Sequence, residues 1–220
     1  MQIYTLIYSA TGQFLIFTKP LKGYFFKNGA AIYSDGQDLN SGGNSALPGG
    51  RVEFLDKSLV AAGRREFIEE CGGRFEFRSA PERLCLGQTS LRILNEAGQV
   101  FQAMVNSQNV QYAAYYFELG LEYLEALLDL MSRTEPTQGT LVQGVEAAQE
   151  IQAGTITNYA TIFENYPFCP LDNELESVRM WNVLDGHFDD DINRLAESEE
   201  TDWYYRIIMN LQDYLRCGGG

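Results

Sequence analysis

Two neighbouring stretches constrain this chain more than anything else in it. Leu47-Pro48-Gly49-Gly50-Arg51-Val52-Glu53 reads as a Gly-Gly turn, and Arg65-Glu66-Phe67-Ile68-Glu69-Glu70-Cys71-Gly72 reads as the end of a helix. The spacing i, i+3, i+4 puts Glu66, Glu69 and Glu70 on one helical face, one turn apart. Three like charges at that separation repel unless something positive sits among them. Hard cations such as Mg²⁺ take carboxylate oxygens and bridge to substrate phosphates. An acidic run is more often a solvated face. Here the glycine pair, Arg65 beside the first glutamate and the closing Gly72 occur together, which favours a helix that holds metal against a phosphorylated substrate.

The same residues resemble the Nudix box, G-x5-E-x7-R-E-U-x-E-E-x-G-U with U apolar. Gly50, Arg65, Glu66, Phe67, Glu69, Glu70 and Gly72 follow that pattern in order, within residues 49–73. One extra residue lies between Gly50 and Arg65, so Asp56 or Lys57 stands where the pattern has its first Glu, and Gly73 replaces the last apolar residue. The resemblance implies an α/β fold, an α/β/α sandwich with a mixed central sheet. It implies a Mg²⁺- or Mn²⁺-dependent hydrolase that cleaves a phosphoanhydride in a nucleoside diphosphate linked to another group. It further implies Glu66, Glu69, Glu70 and the Gly49 carbonyl as metal ligands, with Arg65, Glu66 and Glu69 as the catalytic residues. Arg65 would brace the carboxylates. The first Glu of the pattern mainly braces the loop, so its replacement bears on loop geometry and rate.

The general base stays open among Glu66, Glu118, Asp172, Glu174 and Glu176. His187, the sole histidine, reads as a bystander in a loop. Tyr24, Phe25 and Phe26, between Lys22 and Lys27, either stack a base or form a strand edge. Arg83 and Arg92 are possible phosphate contacts without a distinguishing pattern.

Composition narrows the partners. A net charge of −14 opposes broad binding to nucleic acid or to anionic membrane. It leaves room for a small phosphorylated nucleotide-type substrate, because bound divalent cations reverse the local sign. No apolar stretch approaches bilayer length, and the N-terminus lacks a secretory pattern. Cysteines 71, 85, 169 and 217 show neither C-x-x-C pairing nor metal-ligand spacing. Reduced thiols in a cytoplasmic protein are the simplest account, with Cys71 a packing residue.

A single domain over 1–220 is expected, with 121–170 an insertion or elaboration on the core. Ile3–Tyr8 and Phe14–Thr18 read as a hairpin, and 34–46 as an exposed loop. Ser58 is expected to cap a helix running to Cys71, with Leu59, Val60, Ala62 and Phe67 on its buried side and Gly72 and Gly73 ending it. A strand begins at Arg74. Residues 84–105 read as a hairpin turning at Asn95-Glu96-Ala97-Gly98, and 110–119 as the central strand. Helical spacing covers 121–131 and parts of 141–165. A late strand spans 175–183, Asp189-Asp190-Asp191 marks an acidic stretch, and a final helix runs from 201 to 215, ahead of a glycine tail. The competing class is a catalytically weak Nudix-fold module that senses a ligand or binds a protein.

Overall fold

The computed structural model describes the backbone of all residues except 35–38, 40–41, 79–81, 87–88, 106–107, 135–136, 200 and 219–220, and all remaining side chains except those of 97–105, 108–110, 188–189 and 191. Most of the glycine tail and part of the 34–46 loop therefore lie outside the described residues.

β1 (Gln2–Tyr8) and β2 (Gln13–Thr18) form the expected hairpin, although they pair directly only at Tyr8 and Phe14. Beyond that point the strands diverge. A separate hairpin follows, β3 (Tyr24–Lys27) and β4 (Ala30–Tyr33), joined by Asn28 and Gly29 with φ of 53° and 80°. Two residues with positive φ make the turn whose twist suits paired strands. Two short strands, β5 (Ser45–Ala46) and β6 (Gly49–Arg51), then pair with β2 and β1 in the gap between them.

Helix α1 (Leu59–Cys71) starts where Ser58 accepts a hydrogen bond from the Ala61 N–H at 3.1 Å and stops at Gly72. Ala62 and Phe67 are buried as expected, Leu59 and Val60 are half-buried, and Glu66 and Glu70 are buried too. β7 (Phe75–Arg78), β8 (Arg83–Leu86), β9 (Thr89–Val105) and β10 (Gln108–Leu119) complete the sheet on that side. Its order is β11-β2-β1-β10-β9-β8-β7, where β11 is Ser177–Asn182, and β1 and β10 run parallel in an otherwise antiparallel array. The expected turn at 95–98 is instead part of one long strand. Residues 95–98 pair in regular register with Glu118–Tyr115, and the only irregularity there is a bulge at Leu94, between Glu118–Asn95 and Leu119–Ile93.

α2 (Leu121–Ser132) buries Leu124, Leu127 and Met131 in the main core. α3 (Thr140–Gln152) and α4 (Tyr159–Asn165) form a second cluster with Tyr24 of β3. The acidic stretch at 189–191 lies in a further helix, α5 (Phe188–Ala196), rather than in a loop ahead of the final helix. Its Ile192 and Leu195 are buried in the same core as α6 (Asp202–Arg216). Alternation along the central strands sends side chains both ways. Ile3, Thr5 and Ala113 meet α1, while Tyr4 and Tyr116 meet α6. The result is an α/β fold, a mixed sheet between helices. Among the described residues no helix is long and apolar enough to cross a membrane.

Candidate active site

The last turns of α1 lie against β6. The Gly49 N–H donates to Glu70 Oε2 at 3.0 Å. A Cβ on Gly50 would sit 2.7 Å from Glu66 Oε2, and one on Gly49 would sit 2.1 Å from the Ile3 carbonyl oxygen. The glycine pair is thus needed for close approach, and it lies in a strand rather than in the turn expected from sequence. The physical reason is the edge of β1 that β2 leaves unpaired at Gln2–Tyr4, which β6 fills.

Arg65 gathers the groups around it. Its Nε lies 3.1 Å from Asp56 Oδ1 and its Nη2 lies 3.1 Å from Asp56 Oδ2. Nη2 also reaches the Arg51 carbonyl and Glu66 Oε1, each at 2.9 Å, and Nη1 reaches Glu69 Oε2 at 2.9 Å. Asp56 accepts the Glu53 N–H as well, at 2.8 Å. Of the two residues that could replace the first Glu of the box, Asp56 braces the loop and Lys57 is exposed.

Glu66, Glu70, Gly49 and Gly50 line a cavity of about 270 Å³ together with Asp172, Glu174, Lys19, Tyr4, Trp203 and Tyr204. Asp172 and Glu174 arrive on the segment before β11. That segment is pinned by Asp172 N–H to the Glu69 carbonyl at 3.0 Å and by Asn173 N–H to the Tyr24 carbonyl at 2.9 Å. Lys19, just past β2, donates to Glu174. Trp203 is 8% exposed, and its buried indole N–H faces the Tyr204 hydroxyl without reaching full hydrogen-bond geometry.

Burial and crowding in so small a space strain the ionisation of Glu66, Glu70 and Asp172. Burial pushes Glu66 up to about 7, with Arg65 pulling the other way. Burial and the Glu174 charge push Asp172 up to about 7. Glu70 is raised well above the usual carboxylate range by burial and then by Glu174, against Lys19. Burial opposes the Lys19 charge, but Glu174, Tyr204 and Glu70 together outweigh it and hold that pKa above its ordinary value. Such a site has an unmet demand for positive charge.

Of the residues singled out from sequence, Glu66, Glu70, Gly49, Asp172 and Glu174 meet at this cavity. Glu69 turns toward Arg65 and lines a larger neighbouring cavity. Among the described residues no three acidic, histidine or cysteine side chains stand close enough to make a ready-formed ligand set. Glu118 is engaged by the Tyr8 hydroxyl at 3.4 Å and lines neither cavity. Glu176 and His187 are exposed, and Arg83 and Arg92 face each other across β8 and β9. Lys19, Trp203 and Tyr204 escaped the sequence reading, since no spacing links them to the acidic helix. The donors fit a hard divalent cation in kind: oxygen-bearing, partly buried, and negative in excess.

No protein-family model matches the sequence, and no curated protein matches it. Solved structures do. The likeness is to proteins of Nudix and MutT type. A mutT/nudix family protein from Listeria innocua is 16% identical, with 76% of this chain and 94% of that one covered, at a TM-score of 0.36. The MutT protein from Methanosarcina mazei Go1 is 21% identical, with 76% and 91% covered, at 0.28. A bifunctional NMN adenylyltransferase/ADP ribose pyrophosphatase from Francisella tularensis is 13% identical at 0.42; 97% of this chain is covered, spanning 40% of that protein's length.

Proposed function

We propose that this protein is a metal-dependent pyrophosphohydrolase of Nudix type, cleaving a phosphoanhydride in a nucleoside diphosphate linked to another group. The observation that carries this reading is the meeting of Glu66 and Glu70 from the box-like helix with Asp172 and Glu174 in one cavity, with Lys19 the ammonium among them. Glu66, Glu69, Glu70 and the Gly49 carbonyl would hold Mg²⁺ or Mn²⁺. Such an ion neutralises phosphate oxygens and lowers the pKa of bound water.

The chain's own residues divide the remaining work. Arg65, fixed by Asp56, holds Glu66 and Glu69 in place by charge-assisted hydrogen bonds. Asp172 accepts the proton of the attacking water. Glu174 is engaged by Lys19, whereas Asp172 has no ion-pair partner among the described residues. The Trp203 N–H, which makes no full hydrogen bond within the fold, donates to a phosphate oxygen.

The separation of Glu69 from the other carboxylates favours a second reading, a Nudix-fold module that binds ligand with little turnover. A hydrolysis screen separates the two. ADP-ribose, NADH, dinucleoside polyphosphates, capped RNA, nucleotide sugars and nucleoside triphosphates are offered with Mg²⁺ or Mn²⁺, and Glu70→Gln serves as the blank. Metal-dependent turnover lost in the variant supports the hydrolase. Silence across the panel, with ligands still bound, supports the module.

A further inference from the structure

Residues 166–176 form neither helix nor strand, yet they deliver Asp172 to the carboxylate cavity. A loop places a side chain only as firmly as its own backbone is held. Three residues of α3 do much of the holding. Thr140, Gln143 and Gly144 stand at i, i+3 and i+4, on one face of the helix, and all three are buried.

That face touches two different parts of the site. The Thr140 hydroxyl donates to the Cys71 carbonyl, at the last residue of α1. The Gln143 side chain works on the loop. Its Nε2 donates to the Gln138 carbonyl at 2.8 Å, and its Oε1 accepts the Phe168 N–H at 2.9 Å. Gly144 brings the helix backbone down onto the same loop. A Cβ there would stand 2.8 Å from Pro170 Cδ and 3.3 Å from Asn173 Nδ2.

Direct bonds between the two parts complete the arrangement. The Gly73 N–H donates to the Cys169 carbonyl at 3.3 Å, and the Asp172 N–H to the Glu69 carbonyl at 3.0 Å. From the other side, the Tyr24 hydroxyl donates to the Pro170 carbonyl at 2.6 Å. Gln143 is 4% exposed. A leucine of similar size would pack α3 as well, without the cost of burying an amide. A buried amide bonded at both ends specifies instead where the loop sits.

We propose that Thr140, Gln143 and Gly144 are positioning residues: α3 clamps the Asp172 loop to the end of α1 and so sets Asp172 against the carboxylates of that helix. The catalytic consequence rests on the hydrolase reading; the clamp itself does not. On this account the 121–170 region is part of the site's framework.

The test reads backbone protection and turnover separately. Gln143→Leu removes both side-chain bonds at nearly constant volume. Gly144→Ala pushes Pro170 and α3 apart. Thr140→Val removes the hydroxyl, and Thr140→Ser restores it. Amide hydrogen exchange followed by NMR compares Asp172 with the β1–β10 ladder, since local opening and global unfolding separate there. Gln143→Leu and Gly144→Ala should speed exchange at Asp172 at least about tenfold more than in the ladder. With saturating Mg²⁺ and the substrate found by the screen, kcat should fall on the order of 10²-fold, the scale of a 1 Å misplacement, and KM should change little. Thr140→Val should lose kcat and Thr140→Ser should recover it. Equal acceleration at Asp172 and in the ladder would overturn the clamp, because the variants would then act on the whole fold. Full protection at Asp172 would overturn it as well. A loosened Asp172 amide with unchanged kcat would overturn the positioning role. A wild type without turnover, with the Asp172 amide loosened in the variants, would remove the hydrolase and leave the clamp standing.

Discussion

Asp56 holds Arg65 at two points, one carboxylate oxygen on Nε and the other on Nη2, both at 3.1 Å. The fork-to-fork geometry fixes the guanidinium plane, and that plane delivers the remaining N–H groups to Glu66, Glu69 and the Arg51 carbonyl. The loop residue thus sets the position of the helix carboxylates without touching the small cavity itself.

Replacing Asp56 with Asn should therefore lower kcat more than it lowers stability. The stability loss is set at about 1–3 kcal/mol by the charged hydrogen bonds removed. The Arg65 hydrogen bonds hold the Asp56 carboxyl below its usual range. A carboxyl with a depressed folded pKa adds stability above its unfolded pKa, near 4, and loses it as pH falls through the folded value. Urea melts from pH 6 down to pH 3 should show an acid-side loss in the wild type that Asp56→Asn lacks. Parallel pH curves for the two proteins would contradict the bracing role.

A methyl group at Gly50 tests the close approach. The added Cβ would stand 2.7 Å from Glu66 Oε2, so the carboxylate or β6 has to shift. A displacement near 1 Å at a catalytic group costs on the order of 10²-fold in rate. Gly50→Ala should lose about that much in kcat while keeping the wild-type circular dichroism spectrum. Unchanged turnover would mean that Glu66 has room to move without consequence.

Glu70 is 5% exposed, with Glu66 and Glu174 raising its pKa and Lys19 opposing them. A buried carboxylate among like charges destabilises the metal-free fold. Glu70→Gln should accordingly melt about 2–4 °C higher for each kcal/mol relieved, measured without divalent metal. Added Mg²⁺ should raise the melting temperature of the wild type and not of the variant, since only a ligand bound to the folded state stabilises it. Equal Mg²⁺ shifts in both would remove Glu70 from the metal ligands.

Much of this was legible in the chain. The hairpin at the start, the capped helix and the central strand at 110–119 all follow from apolar alternation and from Ser58 and Gly72, which are local signals. Asn28-Gly29 is an equally local signal for the β3–β4 hairpin. Asn95 to Gly98 misled in the other direction. Turn-forming residues there lie in a long strand because the β10 ladder outweighs local preference. What no local pattern carried is the burial of Glu66 and Glu70 and the arrival of Lys19, Trp203 and Tyr204 beside them. Those depend on β2 diverging from β1, and on α6 crossing the opposite face of the sheet.

Trp203 offers a prediction in which stability and activity move apart. Its indole N–H is buried beside the carboxylate cavity and faces the Tyr204 hydroxyl without reaching full hydrogen-bond geometry. An unmet buried donor costs about 1–3 kcal/mol. Trp203→Phe removes that donor and keeps an aromatic ring against Tyr4 and Tyr204, whose centroids lie 6.3 and 5.3 Å away. The smaller ring gives back part of the gain through lost packing, so the melting temperature should stay level or rise slightly. If the N–H donates to a phosphate oxygen of the substrate, kcat/KM should fall about tenfold, the worth of a charge-assisted hydrogen bond. A variant with full kcat/KM would show that the indole only packs, and would leave Lys19 and Arg51 as the cations lining the cavity.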